Sequence, residues 1–163
     1  MKLKVAVNAS PLIFLAKADR LDVLRDLFQV VYTTAAVMDE IEKPLRLGMP
    51  SSEILLIKSS DWIKVVELTR DEVQEAVQLS RRVQIGIGEA EVTKLSQRGG
   101  YSLAIVADAA AERKMRSLGI NAKDLVEIIY VAAQKGLVEL KDFARDMWEA
   151  GYRSKRIREI LQL

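Results

Sequence analysis

The chain reads as an α/β protein with a central parallel sheet flanked by helices and a helical C-terminus. Three observations predict this. Short apolar runs of strand character, KVAV, VVY and SLAIV, are spaced far apart along the chain. Segments with helical periodicity separate them, which favours parallel crossovers over hairpins. The last forty residues carry helix patterns only.

In order, Lys2–Val7 is an apolar strand, and Ser10-Pro11 resembles a helix N-cap followed by a proline at the first helical position. Helices are expected over Leu12–Ala18 and Asp19–Leu27, the second with Leu21, Leu24 and Leu27 on one face. Val30–Tyr32 is a short strand. Ala35–Lys43 is helical with Val37, Met38 and Ile41 inward, and Pro44 should stop it. Gly48 and Pro50 mark a turn, and Ser51-Ser52-Glu53 starts another helical turn. Trp62–Leu68 alternates as an exposed strand does. Thr69 and Glu72 form a capping box for a helix to about Arg82.

Gly86 and Gly88 bracket a loop before a helix over Glu89–Arg98, which Gly99-Gly100 ends. Ser102–Val106 is a buried strand and Ala109–Ser117 a helix closed by Gly119. Leu125, Ile128, Ile129, Ala132 and Ala133 recur at helical spacing up to Gly136. Leu140–Ala150 and Ser154–Leu161 complete the helical end. With no repeat, linker or low-complexity tract, one domain over residues 1–163 is expected.

Composition narrows the chemistry. There is no cysteine and no histidine, which excludes disulfides, thiolate nucleophiles, Cys- or His-ligated zinc and any histidine general base. Any bound metal must take oxygen ligands, which favours Mg²⁺ or Mn²⁺. A formal charge of +2 does not mark the whole chain as a nucleic-acid binder, so such binding needs a local patch. No apolar stretch approaches the ~20 residues that span a bilayer. The opening MKLKVAV lacks a signal-peptide layout, so a cytoplasmic protein with no membrane partner is expected.

In a parallel sheet, the loops after the strands gather at one edge and ligands bind there. Asn8 follows the first strand and Asp108 follows Leu103–Val106, so both belong at that edge. Glu89 opens a helix after a glycine loop, and Glu40 lies midway along another helix. Each has a simpler explanation. Glu89 can complement a helix dipole, Asp108 can cap a helix, Asn8 can bond the turn behind it, and Glu40 can belong to a solvated face. Glu91, about 200° round the helix from Glu89, reads as a surface residue. Only the four together mark a site.

Four segments taken together carry a resemblance. NASPLIFLAKADRLDVLRDLF with AAVMDEI, then GIGEAEVTKL, IVADAAAERKMRSLGI and AGYRSKRIREIL, resemble in order the PIN domain, in its prokaryotic branch with a D/N-A-S-P-L-I start. The resemblance covers nearly the whole chain. It implies a PIN-like fold, an acidic cluster binding Mg²⁺ or Mn²⁺, and hydrolysis of phosphodiester bonds, most often in RNA. It also implies that the chain is a candidate toxin with an antitoxin partner. Carried over residue by residue, the family's acids fall on Asn8, Glu40, Glu89 and the pair Ala107 and Asp108, and Ser10 matches a hydroxyl that orients a water or phosphate. The implied catalytic and metal set is therefore Glu40, Glu89, Asp108 and Asn8.

The chain departs from the pattern at Asn8, which lowers the charge drawing in an ion and cannot serve as a base. It departs again at Ala107, and at Asn121-Ala122-Lys123, where relatives often carry Gly-Thr. The alternative is therefore an impaired PIN-like module that binds nucleic acid or a partner. A flavodoxin-like small-ligand domain ranks low, because no glycine-rich phosphate loop follows a strand.

Substrate steering is expected from Arg153, Lys155 and Arg156, joined by Arg158, Arg81-Arg82 and Arg113-Lys114. The same run can be a solvated face, and Ile157, Ile160 and Leu161 form a stripe able to dock a partner helix or second protomer. The apolar run Ile54–Ile57 suggests a homodimer surface.

Overall fold

The computed structural model describes residues 4–49 and 51–163. Residues 2 and 3 of the expected first strand, and Pro50 of the expected turn, lie outside the described residues. The elements in order are β1 (Lys4–Val7), α1 (Ala9–Lys17), α2 (Asp22–Phe28), β2 (Val31–Thr34), α3 (Ala35–Arg46), α4 (Ser52–Ser59), β3 (Ile63–Val66) and α5 (Arg70–Val83). They continue with α6 (Ile87–Ser96), β4 (Tyr101–Ile105), α7 (Ala109–Ser117), β5 (Ala122–Lys123), α8 (Leu125–Gln134), α9 (Leu140–Glu149) and α10 (Lys155–Leu161).

The strands form one parallel sheet in the order β3-β2-β1-β4-β5, the α/β architecture that the alternation predicts. Chain progression runs outward from β1 to β2 and β3, then returns across the sheet to β4. The order therefore reverses between β1 and β4, whose last residues Val7 and Ile105 lie in register. Such a reversal opens a crevice at the carboxyl ends of the strands. Val5, Ala6, Val7, Val31, Ala104 and Ile105 are fully buried, and Leu12, Leu15, Leu24, Val92, Leu95 and Ile129 cover them from the helices.

Several boundaries differ from the sequence reading. The first helix begins at Ala9, so Asn8 rather than Ser10 occupies the cap position. Proline tolerates any place in a helix's first turn, and here it is the third residue. Helix α3 continues through Pro44 to Arg46. A proline that close to the end removes one backbone bond in a turn already fraying, a small loss beside one in mid-helix. The two-residue strand β5 was too short to leave a periodic signal. Thr69 and Glu72 do form the capping box, and Arg98 Nε donates to Glu72 Oε2 at 2.9 Å. These bonds hold the Glu72 carboxyl down to about 2, the Arg98 bond contributing most.

The two stripes proposed for partners are largely internal. Ile54 and Ile57 of α4 are buried at helical spacing, leaving Leu55 and Leu56 outward. Ile157 is fully buried, with Ile160 and Leu161 packed against the same core. Among the described residues no helix is long and apolar enough to cross a membrane.

Candidate functional site

The crevice between β1 and β4 holds a cavity of about 100 Å³ lined by Asn8, Ala9, Ser10, Glu40, Glu89, Ala107, Asp108 and Ala111. Four separate stretches of chain supply these residues. Asn8 leaves β1 with its backbone N–H donating to Ile105 O at 3.1 Å, which ties the two strand ends together. Glu40 comes from α3, Glu89 from the first turn of α6, and Asp108 from the cap of α7.

Asn8 is the most informative member. It holds the cap position of α1, yet its side chain makes no cap hydrogen bond. The residue is 6% exposed, and Oδ1 is buried without a hydrogen-bond partner. The turn-bonding explanation therefore fails, because Asn8 does not bond the helix behind it. A buried amide oxygen left unpaired costs about 1–3 kcal/mol, a cost that functional sites commonly carry.

Glu89 is half-buried, and its carboxyl is shifted above the ordinary 4.5. Burial is the main cause. Lys114 opposes the shift, while Glu40 and Asp108 reinforce it, so the three carboxyls share one electrostatic environment. Asp108 accepts the Ala111 N–H at 2.9 Å as a helix cap and is otherwise exposed. Glu40 and Ser10 are exposed at the cavity rim.

The basic residues expected to steer substrate do not line this cavity. Arg156 pairs with Asp124 at 3.6 Å and Glu127 at 3.1 Å. Arg153 lies over the Trp148 ring at 4.2 Å, and Lys155 is exposed at the start of α10. The cation whose charge reaches Glu89 is Lys114, three residues beyond Ala111 on α7.

Three further buried residues brace the surrounding elements, and none of them is a site residue in the sequence reading. Glu91 is buried rather than on the surface, and its Oε1 accepts the Ala36 N–H of α3 at 3.1 Å. Tyr152 packs edge-on against Phe14 and donates its hydroxyl to the Ala107 carbonyl, bracing the loop that carries Asp108. Asp124, 2% exposed, caps α8 through the Glu127 N–H. Only Asp124 left a readable signal, since an acid three residues before Glu127 and ahead of an apolar run is a cap signature.

A parallel α/β sheet with an acid-lined cavity where its strand order reverses defines an α/β protein with a candidate ligand site of oxygen donors. Its family is narrower. A family model of the PIN domain matches residues 4–163, and the chain belongs to the PIN domain family, as its motifs suggest. That is a nuclease family whose members generally use divalent metal ions. No curated protein matches the chain.

The donor set suits such an ion in chemistry: the residues lining the cavity carry carboxylates, one hydroxyl and the Asn8 amide, whose oxygen has no partner. At ~30 Å³ for each water, the cavity has room for an ion and a pair of waters. The acids stand apart, however. Among the described residues no three of them converge closely enough to coordinate one ion as they stand. Like charges repel, and Asp108 is held back by its capping bond.

Proposed function

We propose that the protein is a ribonuclease dependent on Mg²⁺ or Mn²⁺, built as a single PIN-like domain over residues 1–163. The observation that carries this reading is the buried, unpartnered side-chain oxygen of Asn8, a residue that lines the same cavity as Glu40, Glu89 and Asp108. We assign those four residues to hold the ion. A bound divalent cation supplies charge that offsets the negative phosphoryl group and makes water a better nucleophile at neutral pH.

Each residue has a separate task. Asn8 offers a neutral oxygen. Glu40 and Asp108 offer charge from the rim, and Asp108 must turn partly away from its cap to do so. Glu89, with its raised carboxyl, holds a proton more readily than an ordinary glutamate and gives it up as a cation arrives. Ser10 is suited to orient a water or phosphate, and Lys114 to draw the substrate's charge toward the acids.

The partners we propose are single-stranded RNA, an antitoxin protein that covers the cavity edge, and a second copy of the chain. A cytoplasmic location fits all three.

The second reading is a PIN-like binding module without cleavage. The amide at Asn8 and the missing carboxylate at Ala107 favour it, because both reduce the charge that attracts a cation. Purified protein incubated with labelled RNA in Mn²⁺ or in EDTA separates the two. The ribonuclease reading expects cleavage that needs the metal and is lost in Glu89→Ala. Cleavage that persists in EDTA sinks the metal site, and RNA bound but uncut in Mn²⁺ favours the binding module.

A further inference from the structure

We infer that Glu91 is a positioning residue that sets Glu40 against Glu89 through the first turn of α3. The inference rests on the reading of the cavity as a cation site.

Glu91 lies two residues beyond Glu89 on α6 and points to the opposite side, about 200° round the helix. It is 6% exposed, and its Oε1 accepts the Ala36 N–H at 3.1 Å. An ionised carboxylate that deep is costly unless matched by donors and positive charge. Among the described residues Glu91 forms no salt bridge. Its compensation is the N-terminal end of α3, whose free amides and dipole favour an anion. The neighbouring amide of Val37 is taken by the Thr34 hydroxyl at 3.4 Å, so Glu91 completes the capping of that turn.

Glu40 is four residues beyond Ala36, one turn further along α3 and on the same face. From there it reaches α6, where its Oε2 lies beside Gly88. Two links therefore join the helices. One runs from α6 into α3 at Glu91 and Ala36, and the other from α3 back to α6 at Glu40 and Gly88. Sliding or rotating α3 would break the first link and carry Glu40 away from Glu89. A carboxylate serving only as a helix cap could come from α3's own approach; this one comes from the helix bearing the partner acid.

The test compares Glu91→Ala with Glu91→Gln, whose side-chain oxygen still accepts the Ala36 amide. Mn²⁺ affinity is measured by calorimetry, protection of the Ala36 amide by hydrogen exchange, and RNA cleavage as separate kcat and KM. Glu91→Ala is expected to lose Ala36 protection, weaken Mn²⁺ by about 10- to 100-fold, as supporting residues behind metal ligands do, and lower kcat with little change in KM. Glu91→Gln is expected to recover most of each loss.

A folded Glu91→Ala with wild-type Mn²⁺ affinity overturns the inference alone, as does a Glu91→Gln as impaired as Glu91→Ala. Wild-type protein that takes up no Mn²⁺ overturns the cation reading and this role with it. If Glu91→Ala does not fold, Glu91→Asp takes its place, keeping the charge at a shorter reach. It is expected to weaken Mn²⁺ similarly, and unchanged Mn²⁺ affinity in it overturns the role.

Discussion

Glu40 lies against the bare Cα of Gly88: a β-carbon there would stand 3.2 Å from Glu40 Oε2 and 3.4 Å from Val37 Cγ2. The glycine is buried in the first turn of α6 with no positive φ, so its value is space rather than backbone freedom. Gly88→Ala is expected to push the Glu40 carboxylate aside. Alanine's helix propensity, better by ~1 kcal/mol, roughly offsets the crowding in stability. The expected outcome is a variant of nearly wild-type melting temperature whose Mn²⁺ affinity falls about tenfold. A calorimetric titration beside a thermal melt measures both, and unchanged Mn²⁺ affinity would remove Glu40 from the ion's ligands.

Glu89 gives a pH prediction with a definite sign. Its carboxyl is raised in the folded chain, chiefly by burial. The native state therefore holds a proton that the unfolded state releases, and stability falls as pH climbs from 4.5 through the raised value. Below that window both states are protonated and no difference remains. In EDTA, Glu89→Gln should match wild type near about pH 4 and be the more stable protein near about pH 8. Urea unfolding at the two pH values decides it. A variant less stable at the upper pH would show that Glu89 is ionised without strain and needs no cation to compensate it.

Asn8→Asp tests the amide directly. The new carboxylate would be buried beside Glu89 without a donor, so the metal-free protein should lose about 1–3 kcal/mol. With Mn²⁺ the sign reverses, because added ligand charge raises affinity for hard cations. The expected signature is a lower melting temperature in EDTA and a larger upward shift on adding Mn²⁺ than wild type shows. An unchanged titration would mean that Asn8 is not a ligand.

What the sequence made legible follows from how local each signal is. Parallel strands alternating with helices announce themselves through periodicity, and the edge position of Asn8 and Asp108 follows from topology alone. The Thr69–Glu72 box was readable because its bonds span three residues. Glu91 was not, because its partner Ala36 lies 55 residues away and nothing in GEAEV says which acid turns inward. Pro44 was misjudged for a related reason: a proline's cost depends on how near the helix end falls, and residues beyond the proline set that end. The ion pairs of Arg156 were not legible either, because its partners Asp124 and Glu127 reach it only through the packing of α10 near the start of α8.

That last pairing carries its own test. Asp124 is raised by burial, and Arg156 opposes the shift from 3.6 Å. Arg156→Ala leaves a buried carboxylate facing Glu127 and Glu112, both of which raise it further. Because the arginine side chain is 41% exposed, water screens the pair, and the expected loss is ~1–2 kcal/mol. The loss should be largest at neutral pH and shrink as acid protonates Asp124. Lys155→Ala, on the exposed first residue of the same helix, should cost almost nothing. Chemical denaturation of both variants across pH reads the difference. If instead Arg156→Ala is as stable as wild type and loses RNA affinity, the arginine belongs to the substrate surface and its pairing with Asp124 is incidental.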